Sequence, residues 1–490
     1  MAQWSKNGLY IDGQWTPTAA SDPIINPATE EVIGHAPTGG NAETDMAIAA
    51  ARRTFDESDW RFLPSTTRQR ILTRFLDILE ERRTEIVELI VAEAGATQAL
   101  ANTLQFATPI AHARHTVEIC TRPAITALTP EINQTMFGDR WLASGVAVRE
   151  PVGVVSAITA YNFPFFLNLA KVVPALAAGC TVVLKPSPYT PFQALILGDV
   201  ANESGLPAGV LNIINGGVDT GELMTTDPRV DLVSFTGSDL VGAKIQAQAA
   251  PTLKRCLLEL GGKSAFVVRH DADLQRAAVT AAMHFTIHAG QGCALMTRTL
   301  VHNSVRADFT QMVKSIVEQA VIGNPADPKV TLGPLIREAQ RQRTENYVAI
   351  ALDEGANLVT GGRRPDDQDK GFFYKPTLFD NVSNSSRIAQ EEVFGPIGVV
   401  IGFDDDDEAV AMANQSEFGL SGGIFSADVA TAYEMAMRIR TGELNINGGP
   451  GKMSSHFPFG GIKRSGYGRE YGEEGLNEFT YIKTIGYHAG

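Results

Sequence analysis

Apolar positions along the chain change their spacing from one segment to the next. In residues 66–95, TTRQRILTRFLDILEERRTEIVELIVAEAG, Leu and Ile recur every three or four residues, which predicts an amphipathic helix. Elsewhere the apolar runs are short and unbroken: VGVVSAITA (152–160), TVVLKP (181–186), VLNIING (210–216) and DLVSFTG (231–237). Runs of this length read as strands buried on both faces. Helical stretches such as 191–204 and 217–227 lie between them, and that alternation is the mark of a parallel sheet covered by helices on either side. A second series begins at SAFVVR (264–269) and continues through TLVHN, a helix around 305–321, ANLVTGG and IGVVIGF to ELNINGG (443–449). Two consecutive α/β lobes are predicted. The segment EFTYIKTIGYH (478–488) is strand-like but has no core of its own, and such a strand commonly pairs with another segment or another subunit.

At 490 residues the chain exceeds one simple core, so two or three domains are expected. Its 44% apolar and 20% charged composition is that of an ordinary globular protein. A formal charge of −14 argues against nucleic acid and anionic membrane surfaces as partners, since both select basic patches. Residues 151–170 carry no charge, yet Pro151, Gly153, Asn162, Pro164 and Asn168 interrupt the uniform apolar helix that a bilayer demands. The four cysteines, Cys120, Cys180, Cys256 and Cys293, form no C-x-x-C pair and no zinc-like cluster with histidines, so no metal site is expected. With no signal-like N-terminal segment, the expected location is cytoplasmic. The acidic run Asp404–Glu408 precedes a helical segment, where carboxylates cap the positive end of the helix dipole.

Five stretches are weighed for chemistry. SFTGSDLVG (234–242) joins a strand to a helix and offers unpaired N–H groups to a phosphate, although it lacks the G-x-G-x-x-G spacing and could be a plain helix cap. GYGREYG (466–472) comes nearer in letters but follows no apolar strand, so it reads as a loop. In CLLELGGKSA (256–265), Glu259 lies among leucines; it is either a base of raised pKa or a core glutamate paired with Lys254 or Lys263. Asn162, in ITAYNFPFF (158–166), lies past a strand's carboxyl end, where its amide could donate to an oxyanion or satisfy a turn. Cys293, in HAGQGCALMTR (288–298), is by itself as readily a small buried hydrophobe as a nucleophile.

Taken in order, YNFP around Asn162, LKPS around Lys185, FTGS (235–238), LELGGKS around Glu259, GQGC around Cys293, EEVFGP (391–396) and PFGGIKRSGYGRE (458–470) resemble the aldehyde dehydrogenase superfamily nearly from end to end. The resemblance implies NAD(P)+-dependent oxidation of an aldehyde to a carboxylic acid. Cys293 would attack as thiolate, Asn162 and the Cys293 backbone N–H would hold the oxyanion, and Glu259 would activate the water that hydrolyses the thioester. On the cofactor side it implies Lys185 for the adenosine ribose, Ser238 beside Gly237 for the pyrophosphate, and Glu392 with Phe394 for the nicotinamide ribose, with Thr159 and Tyr161 nearby. Phe163, Leu167 and Phe459 would line a substrate tunnel suited to an apolar aromatic or medium-chain aldehyde.

Some positions depart from the family pattern. Pro188 stands where many NAD-preferring members carry a glutamate that repels a 2′-phosphate, so NAD is expected with NADP as an alternative. Tyr161 replaces a common tryptophan, and His288 stands where an asparagine is common and reads as structural. Lys452 and His456 near the tunnel mouth leave a carboxylate-bearing semialdehyde as an alternative substrate. A CoA-acylating dehydrogenase is a further alternative, disfavoured because such members generally lack the water-activating glutamate. The implied organisation is an NAD(P)-binding domain (1–126 and 150–260), a catalytic domain (261–469) and a small β oligomerisation element (127–149 and 470–490) that makes a homodimer or homotetramer.

Overall fold

The computed structural model describes residues 4–134, 136–450 and 453–488. Its first lobe is an eight-stranded sheet. Five parallel strands form its centre, in the spatial order Arg255–Glu259, Leu232–Thr236, Val154–Ile158, Thr181–Lys185 and Leu211–Ile213. Four of the five are wholly buried, and Arg255–Glu259 turns outward only at its first two residues. Antiparallel edges close the sheet: Gly466–Tyr467 beside Arg255–Glu259, and the hairpin Leu9–Ile11 with Gln14–Thr16 beside Leu211–Ile213.

The chain lays down Val154–Ile158 first, proceeds two strands in one direction, then returns to place Leu232–Thr236 on the other side of the starting strand. The helices that cross over therefore lie on opposite faces to either side of that point, and the loops at the strands' carboxyl ends splay apart. A crevice opens where strand order reverses, which is where doubly wound sheets hold ligands. It opens between the loops following Ile158 and Thr236.

The second lobe is a seven-stranded sheet in the order Asn357–Thr360, Thr377–Asp380, Ile397–Phe403, Arg298–His302, Ala265–Val268, Gly422–Phe425 and Asn445–Ile446, parallel except at the first edge. A third sheet pairs Thr480–His488 antiparallel with Arg140–Pro151 over nine residues, and Ile125–Ala127 and Glu131–Gln134 pair with the same long strand. The chain thus forms two α/β lobes with a small β element, the fold class its sequence predicts.

Several local expectations need correction. The helix expected over 66–95 is two helices, Ser65–Glu81 and Arg83–Ala94, parted where Arg82 leaves helical geometry. The helix expected over 305–321 is Arg306–Val317, because Ile322 turns away to bridge Leu332. GYGREYG is more than a loop: Gly466–Tyr467 joins the first sheet and Glu470–Tyr471 enters the site described below. The acidic run caps as expected, with Asp405 Oδ1 accepting from Glu408 N at 2.9 Å ahead of helix Asp406–Asn414. Residues 151–170 divide between strand Val154–Ile158 and helix Pro164–Ala178, and no helix among the described residues is long and apolar enough to cross a membrane.

Candidate active site

A cleft of about 890 Å³ opens at the strand-order reversal. Tyr161 and Asn162 reach it from the loop after Ile158, Gly237 and Ser238 from the loop after Thr236, and Glu259 from the end of the neighbouring strand. Cys293, Glu392 and Phe394 close it from the second lobe. Residues more than two hundred positions apart therefore face one space.

Cys293 is delivered by an unusual turn. Helix Leu274–Thr286 ends, and His288, Ala289 and Gly290 then take left-handed φ values of 49°, 53° and 72°. Gly290 tolerates this geometry without strain, and it is also required by space, since a Cβ there would stand 2.1 Å from the carbonyl oxygen of Gly395. Gln291, fully buried, fastens the turn: its side chain donates to His288 O (3.0 Å) and Pro334 O (3.4 Å) and accepts from Ile336 N (3.0 Å). Gln291 O accepts from Asn162 Nδ2 at 3.0 Å, tying the two lobes together beside the thiol. That bond uses one of the two amide hydrogens of Asn162 and leaves the other available. Burial lowers the His288 pKa to about 4, so its ring stays neutral, and it packs edge-on against Phe163 at 5.4 Å. Burial, with the charges of Glu392 and Glu259 nearby, pushes the Cys293 thiol up to about 12.

Glu259 is 2% exposed, and neither of its carboxylate oxygens has a hydrogen-bond partner among the described residues. Neither lysine considered as its ion-pair partner takes that role: Lys254 Nζ donates to Asp227 O at 2.5 Å, and Lys263 makes no bond to it. Burial raises the Glu259 pKa well above the usual carboxylate range, and the charge of Glu470 adds to the rise. Beside it lies a fully buried ion pair, Lys171 Nζ to Glu470 Oε1 at 2.8 Å, with Lys171 also donating to Ser234 Oγ at 3.1 Å. Lys171 is the one charge in the apolar stretch between Glu150 and Lys185, and a lone charge on so apolar a helix was the available signal.

On the first lobe's side, Ser238 caps helix Asp239–Ala249, its Oγ accepting from Val241 N at 3.4 Å, so the cap reading and a place in the cleft hold together. Glu392 Oε1 accepts from Gly262 N at 3.0 Å, and burial pushes the carboxyl up to about 7. Phe394 has φ +60° and stands edge-on to Tyr161 at 6.1 Å. Sequence reasoning missed what fixes this segment. From helix Glu338–Asp353, Gln340 Nε2 donates to Phe394 O (2.6 Å), and Arg343 donates to Glu392 O (2.5 Å) and Val393 O (3.1 Å). Lys185 and Thr159 do not line the cleft. Lys185 is buried at the end of its strand, with its pKa lowered to about 8, and the Thr159 hydroxyl is committed to Asn168 Oδ1 at 2.7 Å.

Phe163, Leu167 and Phe459 gather in a small apolar cluster with Phe166 and Tyr471. Tyr471, also missed from sequence, is buried with φ +64° and lies close enough to Glu470, Glu259 and Cys293 for burial and their charges to hold its hydroxyl protonated. His456 lies near this cluster, its ring 4.0 Å from that of His115, whereas Lys452 falls outside the described residues.

The chain matches the aldehyde dehydrogenase family over residues 15–485. A putative aldehyde dehydrogenase of Staphylococcus saprophyticus is 37% identical over 484 residues, covering 98% of both chains. Among solved structures, a Mycobacterium tuberculosis aldehyde dehydrogenase complexed with NAD+ superposes with a TM-score of 0.92 at 39% identity, covering 99% of this chain and 98% of that one. A Staphylococcus aureus betaine aldehyde dehydrogenase in complex with NAD+ gives a TM-score of 0.93 at 35% identity, with 98% and 95% covered.

Proposed function

The chain belongs to the aldehyde dehydrogenase family, oxidoreductases acting on aldehydes, and on that basis we propose that it oxidises an apolar aromatic or medium-chain aldehyde with NAD+ through a thioester on Cys293. The observation that carries this reading is that Cys293, Asn162 and Glu259 face one cleft together with Gly237, Ser238, Glu392 and Phe394.

The residues suit a dinucleotide. Glu392 uses one oxygen on Gly262 N and keeps the other for ribose hydroxyls, while Ser238 stands at a helix N-terminus that favours phosphate. The family resemblance assigns the adenosine ribose to Lys185, which is buried at the neighbouring strand end and reaches the ribose only if its side chain turns toward the cleft. Pro188 in place of a carboxylate leaves NADP+ as the alternative. When bound, NAD+ supplies the hydride acceptor.

Cys293 Sγ attacks the aldehyde carbon as thiolate. Its high pKa means that ionisation requires a base and a compensating charge in the occupied cleft, and Glu259 has both oxygens available to take a proton. The second hydrogen of Asn162 Nδ2 and the Cys293 backbone N–H stabilise the oxyanion, and the Gln291 bond holds the amide in place before charge develops. Once the acyl group rests on sulfur and Glu259 has passed the thiol proton to solvent, its carboxylate removes a proton from water as the water oxygen attacks the carbonyl. The C–S bond then breaks, releasing the carboxylic acid and the thiolate. A carboxylate kept unpartnered and buried takes up a proton more readily than a solvated one, which suits it to that transfer.

The strand Thr480–His488 exposes Tyr481, Ile482, Ile485 and Tyr487, which supports a homodimer or homotetramer.

The test is kcat/KM for benzaldehyde, hexanal and succinate semialdehyde with NAD+ and with NADP+. Benzaldehyde or hexanal with NAD+ is expected to lead, and a preference for the semialdehyde would overturn the substrate assignment. Cys293→Ala should abolish turnover while NAD+ still quenches protein fluorescence; turnover in that variant would remove the nucleophile assignment.

A further inference from the structure

Lys263 and Arg298 are 2% and 1% exposed, yet neither is paired with a carboxylate. The Lys263 ammonium takes part in no hydrogen bond or ion pair among the described residues. Arg298 donates only to neutral oxygens: Asn384 Oδ1 (2.9 Å), Met412 O (2.9 Å) and Ala413 O (3.0 Å). Its Nε is buried and has no partner among the described residues. Buried cations are costly unless a negative charge accompanies them.

Both side chains line one small cavity of about 10 Å³ in the second lobe. It lies at the amino ends of three parallel neighbours, where Ala265 stands beside both Arg298 and Gly422. Another side comes from the segment after helix Val429–Arg438. There Arg440 is exposed, while Thr441 Oγ1 is buried without a partner among the described residues. Lys463 brings a further cation within electrostatic reach of Arg298 and Arg440, its ammonium donating to the carbonyls of Asn414 (3.2 Å) and Ser416 (3.0 Å). Among the described residues no aspartate or glutamate lines the cavity. The two carboxylates whose charge reaches Lys263 are engaged elsewhere: Glu392 accepts from Gly262 N and faces the large cleft, and Glu391 pairs with Arg387 at 2.8 Å. Burial pushes the Lys263 pKa down to about 7, and the Arg298 charge adds to the fall.

The walls therefore offer positive charge and unused donors, and lack a negative charge. The space admits one guest of about the size of a water molecule. Water brings no charge, and phosphate or a carboxylate brings too many heavy atoms. A halide is only slightly larger than water, and the unbranched Lys263 and exposed Arg440 side chains can give way to it.

We propose that this cavity is a halide site, in which one chloride ion is held by Lys263, Arg298 and Thr441, with Arg440 at the entrance. The ion supplies the missing negative charge and clamps the segment after the Gly261–Gly262 turn to the second sheet. The site shares only Phe418 with the large cleft, so its role is in stability rather than in aldehyde chemistry.

The direct test is a bromide soak of crystals grown with gluconate in place of chloride. An anomalous bromine peak should lie against Lys263 Nζ and Arg298, and crystals of Lys263→Met should lack it. In solution at constant ionic strength, Tm should rise by about 1–2 °C once chloride or bromide replacing gluconate exceeds its Kd about tenfold. Lys263→Met should lose that rise, and the milder Thr441→Val should need more halide to reach it. A water and no bromine peak in the wild-type cavity overturns the proposal even if neither variant folds. So does a peak without any change in Tm, which is binding at crystal concentration only, or a rise in Tm that both variants keep in full.

Discussion

Lys171→Met tests the buried charge cluster beneath the cleft. Lys171 has no exposed side-chain surface, and Glu470 has 2%. Removing one partner of such a pair leaves an uncompensated buried charge and costs about 3–5 kcal/mol, whereas replacing both is often neutral or stabilising. Lys171→Met should therefore lower stability by about 3–5 kcal/mol, and the double variant Lys171→Met/Glu470→Gln should regain most of it. Urea unfolding at fixed subunit concentration reads this, since association changes the apparent midpoint. The pH profile of kcat gives an independent readout. Burial raises the Glu259 pKa most, Glu470 raises it further, and Lys171 opposes both. Glu259 acts as a base only when ionised, so activity rises with pH through its titration. Losing Lys171 should move the acid limb to higher pH, and Glu470→Gln should move it to lower pH. A double variant as unstable as Lys171→Met, or limbs moving the same way in both single variants, would refute the argument.

Two further outcomes follow from local geometry. Gly290→Ala places a Cβ 2.1 Å from Gly395 O at φ +72°, so the turn carrying Cys293 must shift; turnover should fall at least about tenfold, with a lowered Tm, and a wild-type rate would count against the turn's role. Glu392, pushed up to about 7 by burial, offers a carboxylate to the cofactor only above that pH, so KM for NAD+ should rise as pH falls through about 7. Glu392→Gln should flatten that dependence, and an unchanged profile would remove Glu392 from cofactor binding.

Much of the site could be read from the chain because its groups stand at strand ends and in turns whose residue types carry local meaning. Asn162 follows a buried strand, Ser238 opens a helix, and Gly290 stands in the turn three residues ahead of Cys293. Others carried no such sign. Tyr471 and Glu470 sit in a stretch that reads as a loop, and their importance comes from packing against helix Pro164–Ala178, three hundred residues upstream. Gln340 and Arg343 look like surface residues of a polar helix, yet they bond the backbone that presents Glu392 and Phe394.

The sequence by itself determined the alternation of buried strands and helices, the two lobes, and the residue types able to act as nucleophile, amide donor and base. Those properties depend on periodicity and on chemistry held within a few residues. Only the tertiary structure decided whether Glu259 is neutralised or free, because that depends on which cations reach it. Lys254 and Lys263, near in sequence, turn elsewhere, and Lys171, distant in sequence, is held by Glu470 instead. Likewise Lys263, Arg298 and Arg440 share a cavity because neighbouring strand ends and a helix end, far apart in the chain, meet there. Charge and hydrogen-bond partnerships fall off within a few ångströms, and distance along the chain says little about distance in space.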